Sequence, residues 1–390
     1  MRGHNSMYSK THTFSSSACD HNHSPGRFLC VHPSASCARA RITDNEGANS
    51  AKSSGLRTLR GFSVDASKMI GEATFDLYNA YWGTVTYGDD LIMAAINGSV
   101  YSGLNSDTFD FGAGADVSRK EIIQKGISYQ IVWQYVLHEI YDAINDCNDD
   151  SITDNDNGVH AWDEGWAFYA GSLTGTAGYP DSGTLVYELA NKRCQNYATC
   201  DGYATRGNSL VNLQLLTHFE NGRDFLTAGS CSDAEALISP IVALMTVPLI
   251  QGTLRYAYKA DPDGGAGSDK EIAEGWAFAM AALPLINDVS STAADTVYNN
   301  MWIGLTSPVP DGYAAVVTAV QSVYSGLGIS CTDVGGLVQD ADAGTYYIDA
   351  CTDSPTMSPT AVTISAAAHS ASGIALGAAA LVASVGAFLM

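Results

Sequence analysis

The sequence predicts an all-α fold, a helical bundle built from two tandem repeats that share a helix carrying Glu-Gly-Trp-Ala-Phe. Three observations lead there. The pentapeptide stands at Glu164–Phe168 and again at Glu274–Phe278, and the same offset of 110 residues lays Ile131-Val132 on Ile241-Val242. Ile123, Ile127, Ile131, Tyr135 and Ile140 recur at spacings of three to five, approximating one helical face. Alternating runs rich in Val, Ile and Thr, which would make strands, are few.

Taken in order, a first core helix is expected over Ser67–Trp82. The first repeat then supplies a long helix from Glu121 to Asn145, an acidic Gly/Asp loop from Asp146 to Gly158, and the first Glu-Gly-Trp-Ala-Phe helix. A helix over Leu210–Asn221 leads to the second repeat: a long helix from Ala234 to Tyr258, a loop from Asp261 to Ser268, and the second pentapeptide helix. Ala314–Tyr324 closes the helical set. Ala, Glu, Trp, Phe and Met in sequence around the pentapeptides favour helix over strand. Gly165 and Gly275 each cost about 1 kcal/mol relative to Ala inside a helix. A close approach of two backbones would account for them, with the two glycines facing each other.

Charge and cysteine divide the 390 residues unevenly. The chain carries a net charge of −22, yet residues 1–60 hold eight basic against three acidic groups, leaving 11 basic against 38 acidic for the rest. So acidic a surface repels polyanions and gathers cations, which excludes nucleic acid as the expected partner. Residues 1–61 read as a disordered or leader segment in which no secretory apolar run is legible. Residues 62–350 form the duplicated domain, with units of about 62–180 and 181–350, and 351–372 a Ser/Thr/Pro-rich linker. The 18 uncharged residues from Gly373 to Met390 resemble a signal for a glycosylphosphatidylinositol (GPI) anchor, with a retained tail anchor as the alternative. Six cysteines lie in the core region (Cys147, Cys194, Cys200, Cys231, Cys331, Cys351), an even number with no Cys-x-x-Cys pair. They point to as many as three disulfides and an oxidising compartment, with the pairing open.

Chemistry concentrates on the pentapeptide and the helix before it. His138 and Asp142 are spaced i,i+4 with Glu139 between them, and His160 and Glu164 repeat the i,i+4 spacing. Imidazole and carboxylate donors fixed on rigid helices suit iron, manganese or zinc. Glu274, trailed by an apolar run, needs a buried partner, and Glu271 stands one turn before it. A metal shared between the repeats would supply that partner; a charge pair of Glu274 with Arg255 is the alternative. Glu72 and Asp76, at i,i+4 on the first core helix, either join the site or face water, with water the favoured reading. The acidic loop fails the EF-hand spacing, and no Gly-x-Ser-x-Gly, phosphate loop or His-Glu-x-x-His occurs, so nucleophilic and zincin chemistry have no motif behind them.

The stretch His160-Ala161-Trp162-Asp163-Glu164-Gly165-Trp166-Ala167-Phe168-Tyr169-Ala170-Gly171-Ser172, with its recurrence, resembles the algal iron-assimilating extracellular proteins, relatives of the high-carbon-dioxide-inducible periplasmic protein of green algae. The similarity covers about residues 62–340. It implies a secreted or surface-bound protein, outside the plasma membrane or in the cell wall, that binds iron and assists its uptake without catalysis. A plasma-membrane iron transporter or reductase is then its partner. Glu164 and Glu274 carry over from the matching segments, and His138 and His160 join them by spacing. Two other classes stay open at this point: a helical-bundle metalloenzyme, such as a ferroxidase or hydrolase, using the same residues, and a cell-wall adhesion module without metal.

Overall fold

A computed structural model describes residues 66–151, 157–171, 185–201, 207–265, 267–341 and 343–352, and one short antiparallel pair, β1 (Phe28–Leu29) with β2 (Ala38–Arg39). The chain clusters into two units, Met1–Thr352 and Asp353–Met390. Most of the leader, nearly all of the linker and the apolar tail with its anchor reading lie outside the described residues, as do residues 152–156 of the acidic loop.

Among the described residues helices dominate. Two short ones, α1 (Ala66–Met69) and α2 (Ala73–Trp82), lead to α3 (Tyr87–Asn97). Next comes a small ribbon, β3 (Val100–Ser102) paired antiparallel with β4 (Thr108–Asp110). The expected long helix begins earlier than its apolar pattern, as α4 (Asp116–Gly126), runs through a π-helical turn at Ile127–Val132, and continues as α5 (Trp133–Asn148). That π turn divides the predicted single face. Ile123, Ile127 and Ile131 pack with Ile92 and Ile96 of α3, whereas Tyr135 and Ile140 enter the main core. A π turn holds more residues than an α turn and so rotates the next stretch of helix about its axis.

The first pentapeptide lies in α6 (Gly158–Ala170), which packs along α5. Helices α7 (Leu185–Tyr197), α8 (Leu210–Thr227) and α9 (Cys231–Glu235) lead to α10 (Ile238–Ala260). The second pentapeptide lies in α11 (Asp269–Val289), packed along α10. The chain then runs through α12 (Ser291–Met301), α13 (Tyr313–Gln321) and α14 (Cys331–Val334) to a ribbon of β5 (Leu337–Asp340) and β6 (Thr345–Ile348). Both ribbons have strands of three or four residues, too short for alternation to show in the sequence.

Helix α11 is the axis of the core. Every residue from Ala273 to Ile286 is buried, because α2, α4, α10 and α12 surround it, so no polar face is left to give it amphipathic periodicity. Trp276 meets Trp82 and Trp302 edge-on at centroid distances of 6.1 and 4.8 Å. Full burial of each large side chain here is worth roughly 2 kcal/mol. The stretch Cys231–Ala260 is long and apolar enough to cross a membrane, but most of it is covered within this core.

Each pentapeptide glycine packs against the long helix before it, which corrects the expectation that the two face each other. A Cβ on Gly165 would stand 3.3 Å from the Val136 carbonyl oxygen of α5, and one on Gly275 would stand 2.9 Å from Met301 Cε of α12 and 3.1 Å from Tyr256 Cβ of α10. The close approach is real; its partner is the neighbouring helix. All six core cysteines pair, as Cys147–Cys231, Cys194–Cys200 and Cys331–Cys351. The first ties the end of α5 to α9, across 84 residues of chain.

Candidate metal centre

The site begins with a turn. Gly71, at φ +97°, reverses the chain between α1 and α2 and donates its N–H to Asp76 at 3.1 Å. Glu72 comes next as the residue capping α2, yet its side chain does not cap the helix. It reaches α5, where Glu72 Oε1 lies 2.6 Å from His138 Nδ1. A second link between these helices joins Thr74 Oγ1 to the Tyr141 hydroxyl at 3.3 Å. The contact turns Glu72 away from the favoured water-facing reading and toward the alternative that it joins His138. Its i,i+4 position to Asp76 is visible in the sequence; the turn that aims Glu72 across to α5 is not.

Helix α5 carries three of the expected residues. His138 and Glu139 are buried, while Asp142 lies exposed one turn on. Tyr135 bonds to Glu139 from one turn before, and its ring lies 5.3 Å from the His138 ring. Helix α6 completes the arrangement. Because Gly165 lets α6 close on α5, the preceding Glu164 comes beside Glu139, and His160 Nε2 stands 3.5 Å from Glu164 Oε1 at the open side. His160 and Glu164 keep 42 % and 26 % side-chain exposure, so the cluster grades from a buried floor to a wet mouth.

The electrostatics reflect crowding of like charge. Burial, and then the carboxylate of Glu164, push Glu139 up to about 7. Burial also raises Glu72, outweighing the pull of His138. Burial alone would lower His138, but its hydrogen bond to Glu72 and the charges of Glu72, Glu139 and Asp142 carry it above the ordinary imidazole value. The 2.6 Å contact itself requires a proton between ring and carboxylate. Among the described residues no Lys or Arg makes an ion pair with Glu72, Glu139, Asp142 or Glu164.

The other two predicted residues lie elsewhere. Glu274 Oε1 is 3.4 Å from Lys125 Nζ of α4, and its Oε2 is 3.4 Å from Lys270 Nζ. A hydrogen bond with Tyr256 and these lysines hold its carboxyl below the usual range in spite of burial. The charge-paired alternative thus describes Glu274, with lysines in the place expected for Arg255. Glu271 closes a capping box at the start of α11. Its carboxylate accepts from the Ser268 N–H at 3.0 Å and from the Ser268 hydroxyl, with Lys259 Nζ at 3.5 Å. The structure does not bring Glu271 or Glu274 to the histidines. As they stand, no three His, Cys, Asp or Glu side chains among the described residues are arranged to hold a metal ion.

Residues 34–356 match the model of the Fea1 family, described as low iron-inducible periplasmic protein. The chain belongs to this family. No curated protein and no solved structure matches it. Its family places it in the periplasm, outside the plasma membrane, a location with which its three disulfides agree. Membership likewise joins it to the response to low iron; the family description names no enzymatic activity.

Proposed function

We propose that this chain binds iron outside the plasma membrane and assists its uptake without catalysis, using Glu72, His138, Glu139 and Glu164, with Asp142 and His160 at the mouth. The observation that supports this most is that carboxylates from the start of α2 and from α6 converge on His138 and Glu139 of α5 with no lysine or arginine among the described residues to neutralise them. A small, highly charged cation relieves that repulsion. Hard carboxylate oxygens suit ferric iron, and imidazole adds affinity for ferrous iron. Binding displaces the proton shared by His138 and Glu72, and small shifts of Glu164 and Asp142 then bring further oxygens to the ion. Glu271 and Glu274 stay with their lysines, and the two pentapeptide hairpins are read as copies of one duplicated unit whose sites have diverged.

Iron titration and elemental analysis of the full chain test the reading. A Glu139→Ala/Glu164→Ala chain should lose the tight ion, while Glu274→Ala should keep it; equal iron content in all three removes the proposed site. Repeated oxygen consumption with ferrous iron under air would make the chain an enzyme instead. Delivery to a plasma-membrane iron transporter or reductase completes the proposal. A lipid anchor added in place of the apolar tail would hold the ion near it. Release from intact cells by a phosphatidylinositol-specific phospholipase would support the anchor; recovery of a peptide ending in Phe388-Leu389-Met390 would refute it.

A further inference from the structure

The carboxylate cluster has a counterpart of opposite sign. In a chain of net charge −22, Arg193 on α7 is 7 % exposed, and its Nε and Nη1 are enclosed with no hydrogen-bond acceptor. The groups that bear on it are Arg255 of α10 and the phenols of Tyr256, Tyr197 and Tyr129; no carboxylate is among them. Burial and then Arg255 both push the guanidinium's pKa down. Two further donors nearby are unmet: the hydroxyls of Tyr197 and Tyr324 are enclosed without a partner, and Tyr197 interacts with Arg193, Tyr324 and Arg255. Tyr256 does not answer the charge, because its hydroxyl is engaged with Glu274, which already has two lysines. Tyr129 enters from the π-helical turn, an irregularity often found at functional sites.

A guanidinium taken out of water beside a second one, with no counter-ion among the described residues, is among the costliest arrangements a core can hold. Water could satisfy the two phenols but would leave the charge uncompensated. We propose that Arg193, Tyr197 and Tyr324, with half-buried Arg255 beside them, form a binding site for a small inorganic oxyanion. Guanidinium N–H groups match oxyanions in charge and geometry, and phenol hydroxyls add directed donors. One anion would then answer every unmet donor at once. The site shares no residue with the iron reading and does not depend on it.

Calorimetric titration of the full chain, disulfides intact and freed of polyanions by dialysis into chloride, tests this. Sodium bicarbonate, phosphate and sulfate are compared with sodium chloride at equal ionic strength, and thermal midpoints are read alongside. At least one oxyanion should bind saturably and raise the midpoint. Arg193→Gln should weaken that binding at least tenfold and Tyr197→Phe a few-fold, with iron content unchanged. No saturable binding of any of the three, or undiminished binding by Arg193→Gln, overturns the site. Should Arg193→Gln fail to fold, Tyr197→Phe and Tyr324→Phe decide: each removes only a hydroxyl, and wild-type affinity in both overturns the proposal.

Discussion

Glu164 and Glu274 occupy the same position in the same pentapeptide, each before a glycine that lets its helix close on a long neighbour, yet their surroundings are opposite in sign. Beside Glu164 stand Glu139 and His160, and on the far side of Glu139 its neighbour His138 meets Glu72. Around Glu274 stand Lys125, Lys270 and the Tyr256 hydroxyl. The local motif fixes how two helices approach. What surrounds the carboxylate is decided by neighbouring helices: Glu139 of α5 beside Glu164, Lys125 of α4 and Tyr256 of α10 beside Glu274.

The largest effect should come from making the second hairpin resemble the first. Lys125 serves two buried acids, with Nζ 3.4 Å from both Glu121 and Glu274. Lys125→Ala leaves Glu121 without that partner and Glu274 with the half-exposed Lys270 and the Tyr256 hydroxyl, at a cost of about 3 kcal/mol near neutral pH. The pH dependence should also invert. In the natural chain the Glu274 carboxyl is depressed, so its stabilisation is present above the unfolded value and fades as pH falls through the folded one. In the variant the Glu274 carboxyl loses one of the charges that hold it down against burial, and lowering the pH should recover part of the lost stability. Chemical denaturation at pH 7 and pH 5 measures both slopes; parallel losses at the two pH values would break the comparison. Iron content should not change.

Next in size is Glu139→Gln, which removes the crowded charge from the first hairpin. Folding raises the Glu139 pKa to about 7, so the folded state holds that proton more tightly than the unfolded chain. Destabilisation therefore grows as pH rises from the unfolded value toward 7 and is complete above it. Glutamine should add about 2 kcal/mol at pH 8 and nothing at pH 4, while weakening iron by at least tenfold: stability gained where binding is lost. The raised His138 acts in the same direction, its contribution disappearing as pH rises through its folded value. Iron affinity of the natural chain should accordingly increase between pH 5 and pH 8 with proton release, which calorimetry in buffers of different ionisation enthalpy detects. An unchanged proton count in Glu139→Gln would remove that carboxyl from the site.

Much of the site is legible in the sequence, and the reasons are local. The helix positions of His138, Glu139, Asp142, His160 and Glu164 come from spacing along α5 and α6, and their grouping from the glycine that draws those helices together. Glu72 is not legible, because its placement depends on the φ +97° turn at Gly71 and on a partner 66 residues away. Glu274 is legible as buried and in need of a partner, but the partner's identity belongs to α4. The apolar run that announces its burial says nothing of whether a lysine or a cation meets it. The π turn escapes because Ile127 and Ile131 keep a spacing of four whether or not the backbone widens there. Arg193 carries no signal at all: in sequence it is the second of two adjacent basic residues, after Lys192, and only burial makes it unusual.

The smallest effect distinguishes a cap from a ligand. The Glu271 carboxyl is held down at about 2 by the Ser268 hydroxyl and N–H and by Lys259, but solvent reaches it and screens most of that interaction. Glu271→Ala should therefore cost only about 1 kcal/mol, the usual loss for a helix cap, and Glu271→Gln, which keeps an acceptor for the Ser268 N–H, less than half of that. Both losses should shrink as pH falls toward 2, since a depressed carboxyl contributes stability above its unfolded value and loses it below the folded one. Ser268→Ala should reproduce the Glu271→Ala loss, and combining the two should add little, because each removes the same reciprocal cap. Iron titration of Glu271→Ala sets the boundary of the metal centre. Full iron content with a loss of about 1 kcal/mol leaves Glu271 to α11, whereas loss of iron from a stably folded variant would return it to the site and join the two hairpins.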